Sequence, residues 1–468
     1  MKSTPPAKDD ALEARLGAHV EACRFEQIPA PAIAAAKRSL IDTLGAMIAG
    51  RAAPGIDVMI ELARAWGGSA QARIVGTGLR VPAPLAAWCN GAMARALELD
   101  DCVDYLPIHP SATSVPALLA GADATGAISG RDFLCALALA QDLKIRFGLA
   151  VQRNAMQSGR NNPFKIYAAI AGVANAWRLG AGPAQHALGI GSSYAVGDGQ
   201  CAIDGSMALR AQYGNVAQGA LQAVLLAQRG FTGPRSFLTG RYGYFTAFEP
   251  EHDTQALLDG LGQEFHGATI STKPYACCRA THAAIDLARQ LRAQLGASRA
   301  ALQGIESLQI LVNPEIDGLV GAPAAQKMRP ATGPAAQFSL HFTVASALLN
   351  DGFGLRDSLS DALQQDDRLE LAQRIEVVAD AQRRTRSVLG RTGMRARLQG
   401  GAVIELECEQ PSGSPQHPVS LEGLRAKLLD CIAFSGRPIA AAAVDRLMER
   451  VQVLESVPDM RCLLEDFA

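Results

Sequence analysis

Apolar residues recur with helical spacing over most of the first 268 residues, and this periodicity most constrains the fold. In the segment PAIAAAKRSLIDTLGAMIAG, Ile33, Leu40, Leu44 and Met47 lie three, four or seven positions apart. Residues at that spacing lie on one face of a helix, as in an amphipathic helix packed against a core. Similar Ala- and Leu-rich stretches follow, separated by turns that contain Gly or Pro. The sequence therefore predicts a nearly all-helical region up to about residue 268.

The pattern changes to alternation further along the chain. In IESLQILV, residues 305–312, Leu308, Ile310 and Val312 alternate with other positions, which is typical of a strand. The runs MRARLQ and AVIELEC flank Gly400-Gly401, and this arrangement predicts a β-hairpin over residues 394–408. The run RIEVVAD, residues 374–380, is another strand candidate.

These patterns predict a mainly α fold with two domains. A chain of 468 residues is too long for one ordinary core. Helical periodicity returns after residue 408, so both ends of the chain are expected to belong to one helical domain. We predict a large helical domain of residues 10–268 plus 409–468, and a smaller α/β lid domain of residues 269–408 inserted near the C-terminal end.

Charge and composition narrow the functional classes. Forty-four Lys plus Arg nearly balance 45 Asp plus Glu, so no net field favours nucleic acid or an anionic membrane as a partner. No apolar run approaches the ~20 residues that a membrane span needs. The N-terminal run MKSTPPAKDDALEARL lacks the layout of a signal peptide, and the ten cysteines form no CxxC pair. We therefore expect a cytoplasmic protein with reduced thiols.

Common cofactor and nucleophile motifs are absent from the sequence. The run GIGSSY, residues 189–194, lacks the third glycine and the preceding strand of a dinucleotide-binding loop. No phosphate-binding loop, HExxH or GxSxG motif is present. The sequence therefore predicts no nucleotide cofactor.

The run ALELDDCVDYLPIHPSAT, residues 96–113, concentrates acidic residues before a histidine, His109. On a helix that ends near Cys102, the side chains of Glu98, Asp101 and Cys102 would share one face, whereas Asp100 would point elsewhere. Acids on opposite faces do not converge on one point, so we predict no metal site. Two alternatives stay open: solvated or capping acids at a helix end, or an acid/base site near His109.

A second candidate cluster lies in STKPYACCRATHAAIDLA, residues 271–288. Lys273 and Arg279 are suited to bind carboxylates, and Arg279 lies three positions before His282 at a predicted helix start. The alternative for these cations is a surface salt bridge or a solvated charge. Cys277 and Cys278 are adjacent and are expected to be packed thiols rather than a disulfide.

Several of these segments together resemble the MmgE/PrpD family. They are NGAMARALELDD, HPSATSVPALLA, GSMALRAQYGNVAQGALQAVLLAQRGFTGP, KPYACCRATHAAID and GSPQHPVS. The resemblance runs from about Ile28 to Lys427, and the family includes 2-methylcitrate dehydratase, cis-aconitate decarboxylase and iminodisuccinate epimerase. It implies a helical domain built from both chain ends, a smaller α/β lid, a homodimer, and chemistry without a metal or other cofactor.

The resemblance also implies proton transfer next to a substrate carboxylate. Such a step requires a positioned acid or base, together with cations that stabilise the developing negative charge. His109 and Lys273 match residues that line the family's pocket. Glu98 stands where the family has an active-site Asp, and Cys102 stands where it has a Thr.

Other positions depart from the family pattern. Leu209 replaces a lysine, while Gln212, Asn162 and Arg95 each replace a histidine that many members carry. Arginines such as Arg210 lie close to these positions in the sequence. An arginine is not a base at neutral pH but binds carboxylates well.

The first hypothesis is a cofactor-independent lyase or isomerase acting on a small di- or tricarboxylate, most simply a hydro-lyase of propionate catabolism like 2-methylcitrate dehydratase. The alternatives are an epimerase or decarboxylase of the same family, or a degenerate member that only binds a metabolite. The predicted catalytic residues are His109, Lys273, Asp101 and Glu98. The predicted substrate-binding residues are Asp100, Cys102, Arg210, Cys278, Arg279 and His282.

Overall fold

The computed structural model describes residues 12–126, 128–151 and 158–467, with side chains for all of these except Ala202 and Ile203. Helices make up 59% and strands 10% of the structure, so the predicted mainly α class is confirmed. The first eleven residues, on which the signal-peptide expectation depends, lie outside the described residues. In the part of the chain that the structure describes, no helix is both long enough and apolar enough to span a bilayer.

The chain divides into two compact units, which we call the helical unit and the mixed unit. The helical unit consists of the described residues of Met1–Ala96, Ile108–Ile270 and Leu424–Ala468. The mixed unit consists of Leu97–Pro107 and Ser271–Gly423. The domain limits and the lid arrangement expected from the sequence stay predictions.

Long helices dominate the helical unit. Those of eleven or more residues are Leu12–Ala22, Ala30–Gly50, Ile56–Trp66, Ala83–Arg95, Ser111–Thr125, Gly130–Ala150, Lys165–Ala176, Ala181–Gly191, Ala208–Gln228, Leu421–Ser435 (which starts just before the unit's last segment) and Ala441–Gln452. Shorter helices are Gln200–Ile203, Tyr244–Phe248 and Gln255–Leu258, and 3-10 segments are Phe25–Gln27, Ser192–Tyr194, His266–Thr269, Leu454–Ser456 and Met460–Phe467. Strands Ala72–Ile74 and Leu79–Val81 form a small antiparallel hairpin.

The helix Ala30–Gly50 runs through the core of the helical unit. Its first half has exposed positions, whereas every residue from Ser39 to Gly50 is buried. The predicted amphipathic face therefore describes only the first half, because the second half is surrounded by other helices. Small residues allow this close packing: a Cβ on Gly50 would lie 2.0 Å from the backbone oxygen of Met93 on the neighbouring helix.

The mixed unit is built around a four-stranded sheet. Its strands, in spatial order, are Ile375–Ala379, Ile305–Val312, Thr392–Leu398 and Val403–Cys408. The first two are parallel and the other pairs are antiparallel, so the strands predicted at 305–312 and 374–380 and the predicted hairpin are all present. Gly400 and Gly401 have φ angles of 91° and 86°, which suit a tight hairpin turn.

Helices and short segments cover this sheet. The helices are His282–Gln294, Arg299–Gln303, Pro314–Ile316, Ala324–Met328, Gly333–Gln337, Leu340–Asn350 and Asp366–Gln373, with a π-helical turn at Asp317–Gly321. The 3-10 segments are Arg279–Thr281, Leu355–Ser358, Ala362–Gln364 and Ala381–Arg383, and two-residue strands occur at Cys102–Val103 and Ile270–Ser271. Residues Leu308, Ile310 and Val312 are buried with the apolar faces of the two longest helices, which confirms their predicted alternation.

The close approach at Gly50 predicts a sharp effect of a single methyl group. Gly50→Ala forces the backbone of two packed helices apart, so we expect a loss of about 1–3 kcal/mol in the free energy of unfolding. Gly182→Ala is the matched control, because nothing lies within 4 Å of its added Cβ. The control is expected to be neutral or to stabilise by up to about 1 kcal/mol. Urea unfolding of both variants measures this; similar midpoints for the two would contradict the packing argument.

Candidate active site

The acidic segment after residue 95 is not helical. The helix Ala83–Arg95 ends before it, Glu98 has a φ of 53°, and Cys102–Val103 form a short strand. The prediction that a helix ends near Cys102, with Glu98, Asp101 and Cys102 on one face, is therefore wrong. A right-handed helix cannot continue through a residue in the left-handed region.

Lys273 and Glu98 form a buried ion pair within the mixed unit. The Nζ of Lys273 donates to the backbone oxygen of Glu98 at 2.9 Å and to its Oε2 at 3.3 Å. The two side chains are only 1% and 7% exposed. The backbone oxygen and the side-chain carboxylate of Glu98 thus both accept hydrogen bonds from the ammonium. The left-handed backbone conformation of Glu98 directs both groups towards Lys273. Because removal of one partner leaves a buried unpaired charge, the two residues act as a unit.

The neighbouring acids and the thiol of Cys102 are also buried. Asp100 and Asp101 are both 0% exposed, so the alternative of solvated acids at a helix end is wrong. Cys102 is buried beside them, and burial raises the pKa of its thiol well above its usual range. Cys102 is therefore a neutral thiol at physiological pH.

Arg279 is held by groups of the mixed unit itself. Its Nε and Nη2 donate to the two carboxylate oxygens of Asp104 at 2.8 and 2.9 Å, and its Nη1 donates to the backbone oxygen of Ser412 at 2.6 Å. Burial alone would lower the pKa of Arg279, but the hydrogen bonds and charge of Asp104 outweigh it and the pKa is raised. The guanidinium thus stays charged and is tied to its own unit, and its predicted role in substrate binding stays a prediction.

His282 lies against Arg279 at the start of the helix His282–Gln294. Nη1 of Arg279 lies 3.2 Å from Nδ1 of His282, and Nε2 of His282 lies 3.4 Å from the backbone oxygen of Cys277. Arginine only donates hydrogen bonds, so Nδ1 is the acceptor and the ring proton lies on Nε2.

The adjacent cysteines of this segment are free thiols. Cys277 and Cys278 are buried, as expected for packed thiols, and all ten cysteines of the chain are unbridged. Burial raises the pKa of Cys277 to about 12, and its Sγ lies 3.2 Å from the hydroxyl of Thr281. Neither geometry nor charge activates Cys277 as a nucleophile.

In the helical unit, His109 lies two residues before the helix Ser111–Thr125 and is half-buried. Its ring meets the edge of the Tyr213 ring, with centroids 6.4 Å apart. Tyr213 is 1% exposed and belongs to the helix Ala208–Gln228. His109 is therefore both open to solvent and in contact with the buried interior of its unit.

Three cationic side chains converge on the same ring of Tyr213. The guanidinium carbon of Arg95 lies 5.4 Å from the ring centroid, and the Nζ atoms of Lys144 and Lys165 lie 5.8 and 5.4 Å from it. These three residues are 6%, 1% and 0% exposed. A cation–π contact contributes about 0.5–2 kcal/mol, whereas burial of an ion costs several kcal/mol, so the ring alone does not compensate these charges. We call Arg95, His109, Lys144, Lys165 and Tyr213 the Tyr213 cluster.

Lys165 is the first residue of the helix Lys165–Ala176. Its Nζ donates to the backbone oxygens of Asn161 and of Asn162, the latter at 3.4 Å. Burial, and after it the charge of Lys144, lowers the pKa of Lys165 to about 7. At neutral pH, this lysine is therefore close to half protonated.

Two of the positions that depart from the family pattern lie around Lys165. Asn162, with a φ of 44°, accepts a hydrogen bond from the ammonium, and Gln212 accepts one from Asn161 at 2.9 Å. A Cβ on Gly197 would lie 3.2 Å from the Nζ of Lys165 and 2.9 Å from the Oε1 of Gln212. Lys165 thus lies where the resemblance expects other titratable side chains.

The remaining sequence candidate of the helical unit is Arg210. It is half-buried, and its Nη1 donates to the backbone oxygen of Pro54. The neighbouring departure, Leu209, is half-buried on the same helix. In the mixed unit the structure brings together Glu98 with Lys273 and Arg279 with His282. In the helical unit His109 contacts Tyr213, which the sequence analysis did not single out.

Sequence reasoning missed Lys144, Lys165 and Tyr213. The signal available was the presence of a lysine in each of two helical runs, QDLKIRFG and FKIYAAIAG, the second of which is otherwise apolar. A lysine on an apolar helix is ordinarily assigned to the exposed face, since long charged side chains reach solvent. In this fold the helix Lys165–Ala176 is buried on every side, and the helix Gly130–Ala150 is buried along the part that contains Lys144, so the lysines are buried too.

Among the described residues, no three or more His, Cys, Asp or Glu side chains are grouped to hold a metal ion. The expectation of chemistry without metal or cofactor stays a prediction.

The fold and its buried charges define a mainly helical, two-unit protein. A model of the MmgE/PrpD N-terminal domain matches residues 14–257, and a model of the MmgE/PrpD C-terminal domain matches residues 275–454. These matches cover most of the chain, and the chain belongs to the MmgE/PrpD family. The membership predicted from the sequence motifs is thereby confirmed.

Similar curated proteins are found among fungal enzymes. A cis-aconitate decarboxylase from Aspergillus terreus is 24% identical over 477 residues, which cover 97% of this chain and 96% of that protein. A cis-aconitate decarboxylase-like protein, oryM, from Aspergillus oryzae is 26% identical over 308 residues, which cover 62% of this chain and 64% of that protein. These similarities support a lyase function at the level of the family.

The bidentate pair in the mixed unit predicts a stability effect. Arg279→Lys loses the fork that engages both oxygens of Asp104 in a buried setting, so we expect a loss of about 2–4 kcal/mol in the free energy of unfolding. Arg384→Lys is the control, since Arg384 pairs with Glu315 at 2.7 Å but both side chains are more than half exposed. The control is expected to change stability by less than about 1 kcal/mol. Equal losses in chemical denaturation would show that the Arg279 pair is not structural.

Proposed function

We propose that this protein is a cofactor-independent lyase that acts on a small polycarboxylate, with decarboxylation of a cis-aconitate-like substrate as the first activity to test. The observation that carries the proposal is His109 beside a ring on which three buried cations converge. The similarity to a cis-aconitate decarboxylase along 97% of the chain supports the choice of reaction.

Loss of CO₂ requires two kinds of group. The bond between the carbon skeleton and one carboxylate breaks, its electron pair moves into the skeleton, and a proton must be supplied to a carbon atom. Negative charge develops next to the remaining carboxylates, so nearby cations lower the barrier. A histidine is the side chain best suited to carry a proton at neutral pH, and His109 is half-exposed and within reach of solvent.

We assign the proton transfer to His109 and the stabilisation of charge to Arg95, Lys144 and Lys165. The catalytic roles predicted for Lys273, Glu98 and Asp101 stay part of the proposal. All three residues belong to the mixed unit. The opposite charges of Lys273 and Glu98 compensate each other within the pair. This compensation favours a positioning role for Glu98 over a role as acid or base.

The other family reactions remain candidates for the same residues. Dehydration of 2-methylcitrate and epimerisation of iminodisuccinate also begin with proton transfer next to a carboxylate. A member that only binds its metabolite is favoured by Leu209 and Gln212, since Gln212 takes part in neutral hydrogen bonds with Asn161 and Asp198. Identification of the reaction products, rather than measurement of binding, distinguishes these alternatives.

The proposal predicts that His109 is required for turnover. We expect His109→Gln to lower kcat for release of CO₂ from cis-aconitate by about 10²–10⁴-fold, because the proton donor is lost while the ring position stays filled. His186→Gln is the control, since the ring of His186 contacts the backbone of Gly233 and does not belong to the Tyr213 cluster. The control is expected to retain kcat within about twofold.

Turnover is measured on cis-aconitate, 2-methylcitrate, citrate and iminodisuccinate in parallel. A His109→Gln protein that folds and keeps full kcat on its substrate would exclude His109 as proton carrier. A wild-type protein that binds one of these acids but converts none would favour the metabolite-binding alternative.

A further inference from the structure

Lys165 has surroundings unlike those of the buried cations that pair with a carboxylate. Arg73 and Arg146 pair with Asp123 and Asp142 in the helical unit. In the mixed unit, the buried cations Lys273, Arg279 and Arg368 pair with Glu98, Asp104 and Asp357. The ammonium of Lys165 is 0% exposed but has only neutral partners, the backbone oxygens of Asn161 and Asn162 and the ring of Tyr213. Within the described residues, no carboxylate forms an ion pair with it.

Other nearby charges make this position still less favourable for a cation. The charges of Lys144, Arg95 and Arg160 all lower the pKa of Lys165, whereas the thiol of Cys201 acts in the opposite direction. Lys165 also begins a helix of twelve residues, and the partial positive charge of a helix N-terminus repels a cation and attracts an anion. Asp198, across the loop, accepts from Gln212 rather than from Lys165.

A negatively charged ligand would remove this imbalance. The guanidinium of Arg95 and the ammonium groups of Lys144 and Lys165 all lie within 6 Å of the centroid of the Tyr213 ring, so a carboxylate bound beside that ring would lie close to positive charge. Arg95 offers a planar fork that matches a carboxylate, while the lysines act as point charges. His109, at the edge of the same ring, is half-buried and is the member of the cluster with the most solvent contact.

We propose that the Tyr213 cluster binds one carboxylate group of a small polycarboxylate, and that Lys165 completes its ion pair by taking up a proton as the anion binds. This inference rests on the proposed function for its ligand class and adds the binding residue and the proton linkage. Lys165 thereby supplies a titratable cation near Asn162 and Gln212, where the sequence lacks the histidines of the family pattern.

The proton linkage has a definite sign. Without ligand, the lowered pKa of Lys165, about 7, leaves the amine mostly neutral at slightly alkaline pH. A bound carboxylate favours the charged form and raises that pKa, so binding takes up a proton. At about pH 8 the uptake approaches about 0.9 proton per site, and the apparent Kd rises about tenfold per pH unit above that value until the pKa of the complex is reached.

The test is calorimetry with tricarballylate, which carries three carboxylates but neither a hydroxyl group nor a double bond. Titrations at about pH 8 in two buffers of different ionisation enthalpy give the number of protons taken up. We expect uptake near one for the wild-type protein. Lys165→Arg is expected to keep binding within about tenfold while losing the uptake, because arginine stays charged at this pH. Lys165→Met is expected to weaken binding at least about 10²-fold and to lose the uptake.

Controls separate this inference from general charge effects. Lys37→Met removes a lysine that pairs with Glu455 outside the cluster, so binding and proton uptake should match the wild type. The trimethyl ester of tricarballylate is the uncharged probe and is expected not to bind. A thermal unfolding scan identifies any variant that fails to fold, and Lys165→Arg then carries the test, since it retains the charge and length of the side chain.

The outcomes also distinguish this inference from the proposed function. Wild-type uptake that persists in Lys165→Arg, or equal affinity of Lys165→Met and wild type, overturns the role of Lys165 even if cis-aconitate is decarboxylated. Lys165-linked binding without turnover of any family substrate supports the binding site and overturns the proposed lyase activity.

Discussion

Burial of charge inside an alanine- and leucine-rich protein is the constraint on which this structure depends. A buried ion loses several kcal/mol of solvation, and this loss must be compensated by a partner held in good geometry. Arg146 meets this requirement with Asp142, and both side chains are 0% exposed. Lys273 meets it with Glu98, whose left-handed backbone conformation ends the preceding helical path. Lys165 instead relies on neutral oxygens and an aromatic face.

Under the proposed function, this contrast distinguishes charges that stabilise the fold from charges that bind the substrate. Arg279 is fixed by Asp104 and by the backbone of Ser412, so its charge is used within the mixed unit. A fully compensated cation has little left to offer a ligand, whereas an under-compensated one gains when an anion arrives. The lowered pKa of Lys165, about 7, therefore points to a ligand site only when it is taken together with the geometry around that lysine.

Local pattern predicted the fold class and the strands, because those depend on neighbouring residues. The alternation in 305–312 and the Gly400-Gly401 turn were sufficient for the sheet elements. The helix expected to reach Cys102 was wrong because Glu98 leaves the helical region, and its contacts are made with Lys273, 175 positions away in the sequence. The buried lysines were missed for the same reason: which helices are surrounded on all sides is a property of packing, not of periodicity. Motif resemblance identified the family, and it offered His109 but not Tyr213 as a candidate site residue.

Arginine, asparagine and glutamine stand where the resemblance expects histidines, and this changes the chemistry available to the helical unit. A histidine combines proton transfer with charge, whereas Arg95 offers charge alone and Gln212 offers neither. Lys165 is a group that titrates near neutrality and carries a positive charge when protonated. It begins the helix Lys165–Ala176 and so lies at a position other than those of the missing histidines. Under the proposed binding role, the proton of Lys165, unlike that of a histidine, depends on the presence of an anion, so the ligand itself sets the protonation state. Under the proposed function, His109 is the side chain left to exchange protons with the reacting carbon, while the cations bind the carboxylates.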